Sequence, residues 1–342
     1  MQNLSHIYHG RPNIQPLKIL YWTTFYGQKA WYGTGTEPFS NCEYSACTAT
    51  YDKNELDSSD AILVHMRDIN VPRNLPQTRN PNQTWIMYMR ESPINAFIKY
   101  TPFNRLFNAT MTYKRASDIY LPTVSFVKRT VPSKAPSQPI NYAAGKTHLV
   151  AWFVSNCKTQ SHRENYVNEL QKHIPVDIYG YCGKLKCPKM TGKSYSEQCN
   201  ALLKKNYKFY LAFENSICSE YFTEKVAKTY HLNIIPVVLG GAIYNQYFPK
   251  HSFINVRNFK SAEALAKYLL KLDKNDSLYN EYFSWKREYD EVDVLYECRL
   301  CEFLHKHKGQ HQTMDRLDLF WNQYKDCTRP AVFYKNIVDV KV

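Results

Sequence analysis

Apolar residues in this chain come in short, nearly unbroken runs parted by polar stretches. In the first half the runs are KILYWTT at 18–24, AILVHMR at 61–67, TWIMYMRES at 84–92 and SDIYLPTVSF at 117–126. Each has the length and composition of a strand, and the polar segments between them suit helices or loops. A proline- and serine-rich stretch, VPSKAPSQPINYAAGKT at 131–147, breaks the pattern and reads as a linker. Beyond it the pattern restarts with HLVAWFVSN, the helical HRENYVNELQKHI, VDIYG, YKFYLAFEN, the helical FTEKVAKTY, IIPVVLG, SFINV and the helical SAEALAKYLLKL. Strands alternating with helices at this spacing predict an α/β fold with parallel sheets, whose ligands sit outside the carboxyl ends of the strands. No internal repeat stands out, and two α/β halves suggest a two-domain cleft.

Length and composition sharpen this picture. At 342 residues the chain is too long for one small core, and 44% hydrophobic residues exclude a disordered chain. The formal net charge of +14 suits polyanions, anionic surfaces or a phosphorylated ligand. Nucleic acid is set aside as a partner, because no DNA- or RNA-binding motif accompanies the charge. Tyrosine reaches 28 residues, many on polar stretches, as expected where rings stack on sugars or bases.

Ten cysteines spread over both halves read, in a secretory chain, as a disulfide framework whose connectivity spacing does not reveal. Four N-x-[ST] triplets, at Asn3, Asn82, Asn108 and Asn275, favour the same lumenal or extracellular setting. Against it, MQNLSHIYHGRPNIQPLK has no apolar signal-peptide core, and no apolar run reaches the length of a membrane span. Two readings stay open: a soluble piece separated from its anchor, or another compartment.

Two motifs are set down. AAGKTH at 143–148 contains Gly-Lys-Thr, but Ile140 stands where a P-loop needs its first glycine, and the motif precedes a strand. CRLCEFLHKH at 298–307 is too compact for the two ligand pairs of a structural zinc site, so disulfide pairing of both cysteines is the expectation.

Polar residues gather where a cleft needs them. Ser155 and Asn156 end the first strand of the second half, and Arg163 lies in the first turn of the next helix. Tyr179 ends the next strand, Glu214 and Asn215 the third, and Glu224 and Lys225 open the helix after it. Any one of these could be a cap or a surface charge; successive strand ends carrying polar groups point to a ligand. SEYFTEKVAKTY at 219–230 reads as a phosphate site, with free helix N–H groups and a lysine facing an anion. In the first half Glu91, at the end of its strand, is the candidate general base.

These residues resemble the α1,3-fucosyltransferases of glycosyltransferase family ten. FYLAFENSICSEYFTEKVAKTY…IIPVVLG resembles that family's donor motif, and RESP…FNATMTYKRASDIYLP its acceptor-side motif. HLVAWFVSN…R…YVNELQKHIPVDIYG, FINVRNFKSAEALAKYLLKLDKNDSLYNEYFSWK and the late CRLC agree in order, so the resemblance covers 18–327. SNC at 155–157 and ELQKHIPVDIYGYCGKLKCP at 169–188 are similar to the core-type enzymes, which modify the innermost GlcNAc of N-glycans. Lewis-type enzymes, acting on N-acetyllactosamine, generally lack that cysteine-bearing segment and form the alternative, with a catalytically silent sugar-binding relative behind them. Glu220 and Phe222 depart from the family's usual Asp and Ile.

The resemblance implies a GT-B fold, two Rossmann-like domains facing a cleft. Its implied organisation is a stem remnant at 1–16, an acceptor-side domain at 17–130, the linker at 131–147, a GDP-fucose domain at 148–290 and a returning segment at 291–342. It implies inverting transfer of fucose from GDP-fucose to O3 of GlcNAc, with Glu91 as base. Arg163 and Lys225 would stabilise the diphosphate through charge-assisted bonds of roughly 1.5–3 kcal/mol each. Ser155, Asn156, Tyr179, Asn215, Tyr221 and Glu224 map onto family positions that contact the nucleotide or fucose. No metal is required by this chemistry and no Asp-x-Asp triplet occurs, although added divalent ions could influence rate. The implied setting is the Golgi lumen, with the chain as the catalytic part of a type II membrane protein whose anchor lies outside it.

Overall fold

The computed structural model describes residues 15–29, 32–69, 71–134, 138–187, 197–310 and 312–341. The chain forms two compact units, each drawn from two stretches of sequence. The first holds the chain up to Pro122 together with Val294–Gln323, and the second holds Thr123–Asp293 with Tyr324–Val342.

The first unit is built on a parallel sheet of β1 (Leu17–Tyr21), β2 (Cys47–Thr50), β3 (Ala61–His65), β4 (Thr84–Met89), β5 (Ala109–Thr112) and β6 (Ile119–Tyr120). The spatial order is β2-β1-β3-β4-β5-β6. Every residue of β3 is buried, and all of β4 beyond Thr84, which explains their continuous apolar runs. The connections expected to be helices or loops are mainly loops and 3₁₀ turns among the described residues. Glu37–Phe39, Pro72–Asn74 and Thr101–Phe103 each carry proline at the first or second turn position. Such segments are too short to repay helix nucleation. The helix Tyr296–Lys306 returns to this sheet, its Leu300, Cys301 and Leu304 packing in one core with Leu17, Ile19 and Met111. Spacing of three residues sets Cys298 and Cys301 on one helix face, and they bond to Cys42 and Cys47.

In the second unit β8 (His148–Phe153), β9 (Val176–Tyr179), β10 (Tyr207–Phe213), β11 (Ile235–Leu239) and β12 (Ile254–Asn255) form a parallel sheet ordered β12-β11-β10-β8-β9. Helices α1 (Arg163–Leu170), α2 (Glu197–Asn206), α3 (Glu224–Leu232), α4 (Ala262–Asp273) and α5 (Asp276–Glu281) complete it. Alternation along β10 feeds two cores. Phe209, Leu211 and Phe213 pack with Tyr166 of α1 and Leu265 of α4, whereas Tyr210 and Ala212 pack with Leu203 of α2 and Val226 of α3. Cys157–Cys182, Cys187–Cys199 and Cys218–Cys327 close three disulfides here.

The expected linker at 131–147 lies inside the second unit. β7 (Ser125–Lys128) pairs antiparallel with β13 (Tyr289–Val292), and Arg129 and Ser133 N–H groups continue onto the carbonyls of Glu288 and Arg287, so the crossing between units comes earlier, at Pro122. The returning segment at 291–342 is likewise shared between both units. Of the sequon asparagines, Asn3 lies outside the described residues and Asn82 is exposed. Asn275 caps α5 through the Leu278 N–H. Asn108 is built into the fold, accepting from the Trp85 N–H at 2.8 Å and from Arg79.

Candidate active site

In both sheets the strand order reverses between the first and third strands, β1 and β3 in one unit and β8 and β10 in the other. Ligands of open parallel sheets bind outside the carboxyl ends at such points. In the second unit β10 runs directly into Glu214, which is fully buried. Its carboxylate accepts from the Thr223 N–H at 2.8 Å, from the Thr223 hydroxyl at 3.0 Å and from Lys225 Nζ at 3.1 Å. Thr223 is the N-cap of α3, so one carboxylate fastens a strand end to a helix start. Burial pushes the Glu214 carboxyl up, and the Lys225 ammonium pulls it back only in part. Burial alone would push Lys225 down, but Glu214 holds it above its ordinary value, so the site keeps a fixed cation. The Lys225 side chain is 20% exposed and Glu224, 3.6 Å from it, 64%.

The loop that carries Tyr221 is fastened from three sides. Cys218 is bonded to Cys327, Ser219 N–H donates to the Asp326 carbonyl at 2.7 Å, and Thr328 N–H to that of Ile217 at 2.7 Å. Gly241, after β11, comes so close that a Cβ there would sit 2.5 Å from the Cys218 carbonyl oxygen. Tyr221 is buried and Asn215 half-buried. The Asn215 carbonyl accepts from the Ser161 N–H at 3.1 Å, which ties the β8 loop to the β10 end. Ser155 is half-buried and Asn156 exposed on that loop.

Two expected donor contacts stand elsewhere than the strand pattern suggested. Arg163 opens α1 as anticipated but is only 4% exposed. Its guanidinium donates to the Phe213 carbonyl at 2.5 Å and the Asn156 carbonyl at 3.2 Å, and its buried Nε has no partner among the described residues. The arginine therefore braces the ends of β8 and β10 from inside. Tyr179 is buried with its hydroxyl 2.9 Å from that of Tyr207. Tyr207 opens β10 opposite His148, the first residue of β8, so the Tyr179 ring leans back toward the amino ends of the strands. Ser155, Asn156, Asn215 and Tyr221 belong to the carboxyl-end loops, and Glu224 and Lys225 to the first turn of α3 that follows them.

In the first unit Glu91 follows β4, and its carboxylate accepts from the Tyr26 hydroxyl at 3.0 Å. A cavity of 490 Å³ opens at the β1–β3 switch point, lined among others by Trp22, Lys29, Tyr51, Lys53 and Asp68. Lys53 lies 4.1 Å over the Trp22 ring. Asp68 accepts from Thr24 Oγ1 at 2.9 Å and faces His65 Nδ1 at 3.3 Å. Tyr26 and Asp68 were not among the residues singled out from sequence, and Glu214 was noted at its strand end without being given a donor contact. Glu214 was visible as a carboxylate ending a strand; nothing in the sequence linked Tyr26 to Glu91, 65 positions away.

Parallel sheets with this switch-point chemistry define a GT-B-like glycosyltransferase fold. Residues 143–320 match glycosyltransferase family 10 (fucosyltransferase) C-term, and residues 15–124 match the fucosyltransferase N-terminal family. The chain belongs to glycosyltransferase family 10, the fucosyltransferases. It is 36% identical over 294 residues to glycoprotein 3-alpha-L-fucosyltransferase A of Drosophila melanogaster, spanning 84% of this chain and 57% of that protein. To alpha-(1,3)-fucosyltransferase C of the same organism it is 34% identical over 338 residues, 90% of this chain and 78% of that one. To 4-galactosyl-N-acetylglucosaminide 3-alpha-L-fucosyltransferase 9 of Rattus norvegicus it is 34% identical over 318 residues, 89% and 82%. A crystal structure of an alpha1,3-fucosyltransferase with GDP-fucose shares the fold at a TM-score of 0.56 and 19% identity, covering 89% of this chain and 94% of that one.

Proposed function

We propose that this protein transfers L-fucose from GDP-fucose to O3 of a GlcNAc residue, with inversion at the anomeric carbon, and that its acceptor is the innermost GlcNAc of N-glycans. The observation that carries the donor half is the cation fixed at the start of α3 by buried Glu214, at a strand-order switch point, in a chain whose relatives are named α1,3-fucosyltransferases. Lys225 bonds the diphosphate, and the enclosed charge of Arg163 reinforces it from below while bracing the loop of Ser155 and Asn156. Tyr221, Asn215 and Glu224 complete the donor contacts. Glu91 takes the proton of the acceptor O3 as that oxygen bonds to the anomeric carbon and the bond to the diphosphate breaks, releasing GDP. The acceptor enters the cavity beside Trp22 and Tyr51, whose rings suit sugar faces.

The core acceptor is favoured by the cysteine-bearing segment after β9, closed by Cys157–Cys182 and Cys187–Cys199. A lactosamine acceptor is the second reading, favoured by the similarity to relatives named for galactosyl-GlcNAc substrates. The enzyme works in the Golgi lumen as part of a type II membrane protein, and Asn82 and Asn275 are its better placed glycan carriers. A transfer assay with GDP-fucose, an N-glycopeptide and free N-acetyllactosamine, read by mass spectrometry, is expected to place fucose on the innermost GlcNAc. Fucose on lactosamine alone overturns the acceptor, and no transfer to either overturns the activity. Glu91→Gln is expected to lose transfer while still binding GDP.

A further inference from the structure

Phe25, Tyr26, Gly27 and Gln28 make a two-residue turn, closed by the Phe25 N–H on the Gln28 carbonyl at 2.9 Å and the reverse bond at 3.1 Å. Both central residues have positive φ, +49° at Tyr26 and +77° at Gly27. The first of these positions ordinarily takes Asn, Asp or Gly; a bulky aromatic in the left-handed region is an outlier that surrounding structure must hold in place. Here the holding groups are rings. Tyr26 meets Phe25 edge-on at 4.8 Å and His65 at 4.9 Å, and His65 is itself buried against Tyr88 and braced by Asp68. This fastened, unfavourable turn brings the Tyr26 hydroxyl to 3.0 Å from Glu91 Oε1. The surrounding protein and the Glu91 carboxylate both push the phenol far above its ordinary range, so it stays protonated and donates.

We propose that Tyr26 is a positioning residue for the Glu91 carboxylate: the strained turn aims the phenol at Oε1, and that hydrogen bond helps set the orientation in which the carboxylate meets the acceptor hydroxyl. This rests on Glu91 as the base. The purpose of such a contact is geometric. A charge-assisted hydrogen bond from a fastened ring narrows the orientations open to a carboxylate before the acceptor arrives. It also explains why an asparagine or glycine, which would relax the turn, does not stand at 26.

Tyr26→Phe keeps the ring and removes the hydroxyl. Its kcat for fucosyl transfer is expected to fall about tenfold or more, with the KM for GDP-fucose within about twofold of wild type. In Glu91→Asp the shorter carboxylate falls out of reach of the phenol, so adding Tyr26→Phe is expected to cost no further rate. Tyr26→Asn suits the turn and lacks the phenol; it is expected to share the low kcat and to unfold at the same or a higher temperature, which separates the hydroxyl from turn geometry. A wild-type kcat in either Tyr26 variant, a change confined to KM, or an equal proportional loss on the Glu91→Asp background overturns the proposal. Full activity in Glu91→Gln overturns the base itself, whereas an inactive Glu91→Gln beside a fully active Tyr26→Phe removes only the role of Tyr26.

Discussion

Lys225 has a structural partner and a proposed ligand, and a single substitution tests both. In its proposed role as a phosphate ligand its loss would weaken donor binding; as the partner of a fully buried carboxylate its loss leaves Glu214 charged in the interior. Lys225→Ala is therefore expected to weaken GDP binding at least tenfold by calorimetry and to lower stability by about 3 kcal/mol at neutral pH. Unchanged GDP affinity would refute the phosphate role. Acidification should restore part of the lost stability, because protonating Glu214 removes the stranded charge, and Glu214→Gln/Lys225→Ala should be more stable than Lys225→Ala alone. His65 gives a second residue-level test. Burial lowers it from 6.5 to about 4 against the opposing pull of Asp68. A buried neutral imidazole contributes fully above pH 6.5, and that contribution drains as the unfolded chain takes up the proton, ending near pH 4. The total is about 3 kcal/mol, so heat unfolding of the wild type should drop more steeply from pH 7 to pH 4.5 than that of His65→Asn. Parallel slopes would remove the buried-imidazole explanation. Residues such as these mark the limit of sequence reading: Glu214 and Lys225 share a site because a strand end meets a helix start, which the pattern shows, while Tyr26 meets Glu91 through tertiary packing that no local pattern encodes.

Among elements, α3 matters most to the site, and its start depends on one side chain. Thr223 accepts from the Lys225 N–H, donates to Glu214 and accepts from Lys225 Nζ at 2.7 Å. Thr223→Ala should cost about 2 kcal/mol, the upper end for a lost cap, with a parallel loss of GDP affinity as Lys225 loosens. Thr223→Ser should restore both, and a Ser variant as poor as Ala would show that the methyl, and not the hydroxyl, matters. Strands such as β3, β4, β10 and β11 were legible because burial on both faces leaves an unbroken apolar signature. α1, α3 and α4 were legible from their spacing. The proline-bearing turns of the first unit were not, since a polar segment between strands looks alike whether it closes as a helix or a turn. Arg163 and Tyr179 were assigned by position along their elements, and side-chain direction, which position does not give, turned both inward.

For the whole molecule, the pair Cys42–Cys298 and Cys47–Cys301 staples a late helix to an early sheet across separations of 256 and 254 residues. By chain entropy the first bond to form contributes about 5 kcal/mol, while the second closes only a small residual ring and adds roughly 2–3 kcal/mol. Removing either pair by Cys→Ser changes should thus cost roughly 2–3 kcal/mol, and removing both about 8 kcal/mol, clearly more than the sum. Additive losses in the unfolding midpoints would show that the two bonds do not share one loop. That the cysteines formed a framework was legible from their number; which paired with which was not, because CxxC at 298–301 looks local in sequence and reaches back across the chain. The unit boundaries were hidden for the same reason: each unit borrows its last piece from far downstream.

That borrowing imposes an order on the birth of the protein. Chain leaves the ribosome at about 5–20 residues per second, so Cys42 and Cys47 emerge tens of seconds or so ahead of their mates. Cys157–Cys182 and Cys187–Cys199, separated by 25 and 12 residues, can be sealed in that interval. The two early thiols meanwhile sit five positions apart, with each other and the newborn cysteines downstream as available wrong partners. A nascent chain of this design depends on thiol–disulfide shuffling until Cys298 and Cys301 arrive, and a truncation shortly before Cys298 would leave the first sheet permanently unlatched.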